Sequence, residues 1–101
     1  MHKIVLFGGT TEGRILTEFL SENRIPSIVC VATEYGEKVL EYDEPVIVRS
    51  GKLKPGPMQK LFQDEEVEIV FDATHPYAMN ISKNIKKVCK EENMMPSVSF
   101  K

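Results

Sequence analysis

Short apolar runs alternate along the chain with segments of helical period. Residues 3–7 (KIVLF), 27–32 (SIVCVA), 45–50 (PVIVRS), 68–71 (EIVF) and 97–100 (SVSF) predict five strands, rich in β-branched and aromatic side chains. The first has no polar alternation, as expected of a central strand covered on both faces. Residues 11–23 place Ile15, Leu16, Phe19 and Leu20 at helical spacing, and Pro26 prevents that helix from running further. The turn-like TEYG is followed by a short helix predicted around residues 37–42. GKLKPGP reads as a loop whose Pro57 suits the first turn of a helix bearing Met58, Leu61 and Phe62. Pro76 is expected to open the longest helix, whose stripe Ala78, Ile81, Ile85, Val88 and Cys89 recurs every three to four residues through Glu92. The alternation predicts an α/β fold: a Rossmann-like, doubly wound parallel sheet of five strands in the order 3-2-1-4-5.

Composition narrows the picture. A chain of 101 residues holds one domain. Thirteen Lys and Arg against fifteen Asp and Glu give a net charge of −2, and no block of like charge is long enough to track a phosphate backbone, which argues against a nucleic-acid partner. The opening apolar run is too short for a signal-peptide core or a membrane span, so a cytoplasmic protein without a membrane partner is expected. Cys30 and Cys89 fit neither a CxxC motif nor a dense disulfide framework and read as core thiols, and no metal site is expected. The fifth strand is followed by a single Lys and no covering helix. Parallel sheets are generally covered on both faces, so residues 1–101 are expected to be one domain of a longer protein.

Two segments carry candidate chemistry. In KIVLFGGTTEGRILTEFL a buried strand meets a glycine turn and becomes a helix at once, the order required for a phosphate cradle. Gly8 is expected to permit the tight turn, Gly9 and the backbone amides near Thr10 and Thr11 to face a diphosphate, and Gly13 to let the helix pack close to the strand. Glu12 and Arg14 complete the loop, and the start of the helix adds its partial positive charge. Thr10 stands where GxGxxG has its middle glycine, so its hydroxyl is a candidate donor to the ligand. The bland alternative is a glycine turn capped by Thr11. At the end of the second strand the chain reads Ala32-Thr33-Glu34. A strand ending at Thr33 leaves no carboxylate against a 2′-phosphate, which Thr33 with Arg49 or Lys52 could receive; a strand ending one residue later brings Glu34 to the ribose and favours NAD. The spacing leaves both open.

The second segment, IVFDATHPYA, ends the fourth strand. In the order 3-2-1-4-5 the first and fourth strands flank the switch point, so the glycine loop and residues 72–77 would face each other across the crevice. His75 is then the candidate proton donor and Tyr77 a stacking or hydrogen-bonding group. The structural alternative is that Thr74 or His75 caps the following helix, Pro76 occupies its first turn and Asp72 ties the loop.

Read together in this order, GGTTEGR, VATEYG, SG-K-L and DATHPYA resemble the precorrin-6A reductase family, including its cobalt-precorrin-6A form, over nearly all 101 residues. The resemblance implies the cofactor-binding N-terminal half of a two-part α/β enzyme of cobalamin biosynthesis, which reduces a carbon–carbon double bond of a tetrapyrrole with NADPH; this half alone is expected to be inactive. By position it implies that Gly8, Gly9, Thr10, Thr11, Glu12, Gly13 and Arg14 hold the diphosphate. Thr33, Glu34, Tyr35, Ser50, Gly51 and Lys52 fall on the adenosine side, and Thr74, His75, Pro76 and Tyr77 on the nicotinamide side. Lys52 stands where the family often has Arg, keeping the charge but not the bidentate fork. A different class, a dinucleotide-sensing regulatory domain without catalysis, is also compatible with this length.

Overall fold

The computed structural model describes residues 2–39 and 42–101, and at Tyr35, Glu37 and Val39 the backbone alone. Among the described residues five strands and four helices alternate: β1 (Ile4–Phe7), α1 (Thr11–Glu22), β2 (Ser27–Val31), α2 (Glu34–Val39), β3 (Val46–Ser50), α3 (Pro55–Glu65), β4 (Ile69–Asp72), α4 (Met79–Glu91) and β5 (Val98–Ser99). All four pairings are parallel, in the order β3-β2-β1-β4-β5. The predicted class and strand order are therefore those of the molecule.

The strand pleat explains why β1 carries no polar residue. Val5 and Phe7 project to one side, where they meet Ile28, Cys30 and Val70 of the sheet, Met58 and Phe62 of α3, and Ile85, Val88 and Cys89 of α4. Leu6 projects to the other and packs with Val29, Val31, Val46 and Val48 of the sheet and Leu20 of α1. Burying each of these large side chains contributes about 1.5–3 kcal/mol. Phe7 and Phe62 meet edge to face with ring centroids 6.3 Å apart. Cys30 and Cys89 are both buried free thiols, as their spacing predicts. Burial pushes the Cys30 thiol up to about 12, an effect Lys52 partly offsets.

Three helix starts differ from expectation, each for a local reason. α3 begins at Pro55, two residues before Pro57, because neither proline needs an amide partner within the first helical turn. α2 begins at Glu34 rather than residue 37: the Thr33 hydroxyl oxygen accepts from the Gly36 amide at 3.1 Å and starts a helix where a turn was expected. Of its expected course, Leu40 and Glu41 lie outside the described residues. α4 begins at Met79, after Pro76. The Ala78 amide donates to the His75 carbonyl at 2.8 Å, closing a turn in which Pro76 supplies the second position. No described helix is long and apolar enough to cross a membrane.

Candidate functional site

The carboxyl ends of β1 and β4 lie side by side, with Phe7 registered against both Cys30 of β2 and Asp72 of β4. Chain direction through the sheet reverses here, so the loops leaving β1 and β4 separate and open a crevice.

The β1 loop is held by Thr10. This residue is the N-cap of α1, with extended backbone; its hydroxyl oxygen accepts from the Gly13 amide at 3.2 Å, and its proton is donated to the Ala73 carbonyl at 2.6 Å. The hydroxyl is thus committed to protein on both sides, which corrects its expected availability to a ligand; the cap is Thr10, not Thr11. The left-handed residue of the turn is Gly9, at φ +125°, and not Gly8, where an added Cβ would find ordinary contacts. Gly13 does allow close packing: a Cβ there would lie 3.3 Å from both the Ala73 Cβ and the Gly8 Cα. Beyond the cap, no acceptor among the described residues meets the amides of Thr11 and Glu12. They are the open donors that every helix start presents.

The β4 loop is organised around a buried carboxylate. Asp72, 1% exposed, accepts through Oδ1 from the Thr74 amide (3.1 Å) and hydroxyl (2.6 Å), and through Oδ2 from the Ser82 hydroxyl (2.5 Å). Burial pushes this carboxyl up, but the hydroxyls of Ser82 and Thr74, the Thr74 amide and nearby Lys101 outweigh it and hold the group below its ordinary value. Asp72 therefore ties the loop as expected. Thr74 is turned inward onto it and caps no helix. His75 does not cap α4 either. Its Nδ1 accepts from the Tyr77 amide at 3.2 Å, so the neutral ring carries its proton on Nε2. The His75 and Tyr77 rings sit 5.2 Å apart, both exposed.

Gly8, Gly9, Thr10, Thr11, Glu12, Gly13 and Arg14 line one cleft of about 590 Å³ together with His75 and Pro76. Two residues not singled out in the sequence, Thr17 and Val29, form part of its lining. The Thr17 hydroxyl donates to the Gly13 carbonyl at 2.7 Å, an interior contact without a motif to signal it. Thr74 and Tyr77 flank the cleft without lining it. The second cluster sits at the ends of β2 and β3. β2 ends at Val31, earlier than either alternative read from the sequence, which leaves Thr33 capping α2 and Glu34 in its first turn. Gly51, at φ +81°, donates its amide to the Val31 carbonyl at 3.4 Å and brings Ser50 and Lys52 beside that strand end. Arg49 folds its guanidinium onto the Val48 carbonyl at 3.1 Å. The side chain of Tyr35 lies outside the described residues. No group of three or more potential metal ligands occurs among the described residues.

These features define a doubly wound α/β domain with a glycine-rich crevice at its switch point. Residues 3–99 match the profile of the family described as precorrin-6x reductase CbiJ/CobK, and the chain belongs to that family. It is 32% identical over 94 residues to a cobalt-precorrin-6A reductase of Salmonella typhimurium, a match covering 93% of this chain and 35% of the relative. It is 34% identical over 95 residues to a precorrin-6A reductase of Mycobacterium tuberculosis, covering 90% and 36%. The chain thus spans about a third of the length of the curated relatives it matches. A solved structure described as CobK precorrin-6A reductase superposes with a TM-score of 0.80 at 24% identity, over 100% of this chain and 38% of that one.

Proposed function

We propose that this chain is the dinucleotide-binding part of an NADPH-dependent reductase acting on precorrin-6A or its cobalt form in cobalamin biosynthesis. The observation that carries the reading is the cradle at the switch point: Gly9 at positive φ, Gly13 packed against Gly8 and Ala73, and the open Thr11 and Glu12 amides at the start of α1. A diphosphate fits such a cradle because the amides and the helix start attract negative charge without a side chain in the way. Arg14, in the same cleft, adds a cation. At the strand ends, Thr33 and Lys52 suit a 2′-phosphate, since no carboxylate ends β2. When bound, NADPH would supply a hydride to a carbon of the tetrapyrrole. The residues at the β4 side would orient the reacting ring, and His75, with its proton on Nε2, can hold or pass a proton at the rim. The wider role of the chain as one domain of a two-part enzyme is part of the same proposal.

The test exploits the helix start. Thr11 is the first helical residue and follows an extended Thr10, so Thr11→Pro removes one open amide while leaving a conformation that proline favours. Titration followed by NADPH fluorescence should show saturable binding, weakened roughly tenfold in Thr11→Pro, the effect of one lost charge-assisted hydrogen bond. Absence of binding at millimolar NADPH, or an unchanged affinity in the folded variant, would overturn the reading.

A further inference from the structure

The two faces of the sheet are covered unequally. On the Val5 and Phe7 side, α3 and α4 lie over the strands as far as β4. On the Leu6 side, α1 and α2 lie over β1, β2 and β3. Beside α1 that second face runs on across β4 and β5. Ile69 and Phe71 share it through the strand pleat, Val98 is registered with Phe71, and the Phe100 ring stacks on the Phe71 ring with centroids 6.4 Å apart. Ile15 and Phe19, one turn apart on α1, overhang this strip. With Leu16 and Phe100 they wall a groove of about 490 Å³, to which Glu12 contributes a charge. Ile15, Phe19, Ile69, Val98 and Phe100 are each between 41% and 61% exposed, so among the described residues nothing covers the strip. Parallel strands are ordinarily buried on both faces, and an apolar patch spread over two strands and a helix flank marks an interaction surface.

We infer that this face seats a second copy of the chain in a twofold dimer, the ridge of Ile15 and Phe19 on each copy entering the other's groove between α1 and Phe100. Area favours such a seat. Two phenylalanines and three β-branched aliphatic side chains left about half open present roughly 400–500 Å² of apolar surface per copy. Apolar atoms make up about 56–65% of an interface, so a core of that size corresponds to about 600–900 Å² per copy, a span that includes the roughly 800 Å² of a standard stable contact. Shape favours it too. Ridge and groove lie side by side on one patch, which is what an isologous, closed contact requires. The open edge of β5 is not the seat: the strand has two residues and Lys101 follows close behind, both features that discourage strand-to-strand pairing. The inference is independent of the reductase reading.

Sedimentation velocity of the 101-residue chain across roughly 1–200 µM is the test, and a reversible monomer–dimer equilibrium with a Kd of about 1–50 µM and no larger species is expected. Ile15→Gln/Phe19→Gln should weaken dimerisation at least about thirtyfold, because the twofold axis removes each side chain from both halves of the interface. Neither residue belongs to a buried cluster, so the variant should fold, as far-UV circular dichroism would show. Ile15→Gln alone should still weaken the dimer at least about fivefold. Met79→Gln/Met95→Gln removes two side chains that are 71% and 74% exposed elsewhere and should leave the Kd within about twofold. A monomer throughout the range, as expected if another polypeptide segment covers the face, would overturn the inference. So would open-ended aggregation, or a dimer that Ile15→Gln and the two double variants affect equally. NADPH titration of the same samples keeps the proposals apart: a dimer that binds no NADPH sinks the reductase reading alone, and a monomer that binds it sinks the dimer alone.

Discussion

Thr10 joins the two halves of the crevice, and its removal should be felt in stability before it is felt in binding. Thr10→Val keeps the shape of the side chain and deletes only the hydroxyl. Two bonds go: the acceptor for the Gly13 amide, an N-cap interaction worth about 1 kcal/mol, and the donor to the Ala73 carbonyl, on a residue 1% exposed. A buried carbonyl left without a partner costs about 1–3 kcal/mol. The total is about 2–4 kcal/mol, which lowers the melting temperature of a domain this size by roughly 10–20 °C. Thr10→Ser retains both bonds and should lie within about 0.5 kcal/mol of wild type, since serine caps as well as threonine. Urea unfolding of the three proteins is the assay, with m unchanged so that midpoints report stability alone. A Thr10→Val midpoint indistinguishable from wild type, or a serine variant as unstable as the valine variant, would refute the claim that one hydroxyl links the β1 loop to β4.

Gly9→Ala should destabilise the fold by about 1–3 kcal/mol because φ is +125° there, whereas Gly8→Ala should cost under about 0.5 kcal/mol; equal melting temperatures for the two variants would contradict the assignment of the turn. Asp72 has a folded pKa below its ordinary 3.8, so the stability it supplies is complete above that value and is lost as pH falls through the lower, folded one. The stability difference between wild type and Asp72→Asn, measured by urea unfolding from pH 6 to pH 2.5, should therefore shrink toward the acid end, and a constant difference would disprove the linkage. Cys30 and Cys89 should resist a thiol reagent such as DTNB in the native chain and react fully in denaturant, because both are buried and the Cys30 thiol is pushed up to about 12. Rapid stoichiometric labelling of the native protein would contradict that packing.

Much of the fold was legible because its signals were local and redundant. β1 reads as central from its uninterrupted apolar run, and α1 from its apolar spacing with a glycine turn ahead of it. What escaped the sequence was the destination of polar groups. A threonine after two glycines can face a ligand or a protein carbonyl, and only the approach of Ala73, 63 residues away, decides for the carbonyl. The start of α4 was misplaced because Pro76 suits a helix start and a turn equally well; the His75 ring, capturing the Tyr77 amide, selects the turn. The end of β2 was ambiguous because Thr33 and Glu34 both satisfy a strand-end pattern until the Thr33 hydroxyl is seen capping α2.

The central claim, that the switch-point cradle takes a dinucleotide with a 2′-phosphate, is tested most directly by calorimetric titration of the chain with NADPH and with NADH under identical salt. NADPH should bind about tenfold tighter or more, the difference expected from one charge-assisted contact worth roughly 1.5 kcal/mol, and Lys52→Gln should remove most of that preference while sparing NADH. Equal affinities, a preference for NADH, or a preference for NADPH that survives Lys52→Gln would contradict the account and return attention to Glu34 as a ribose ligand.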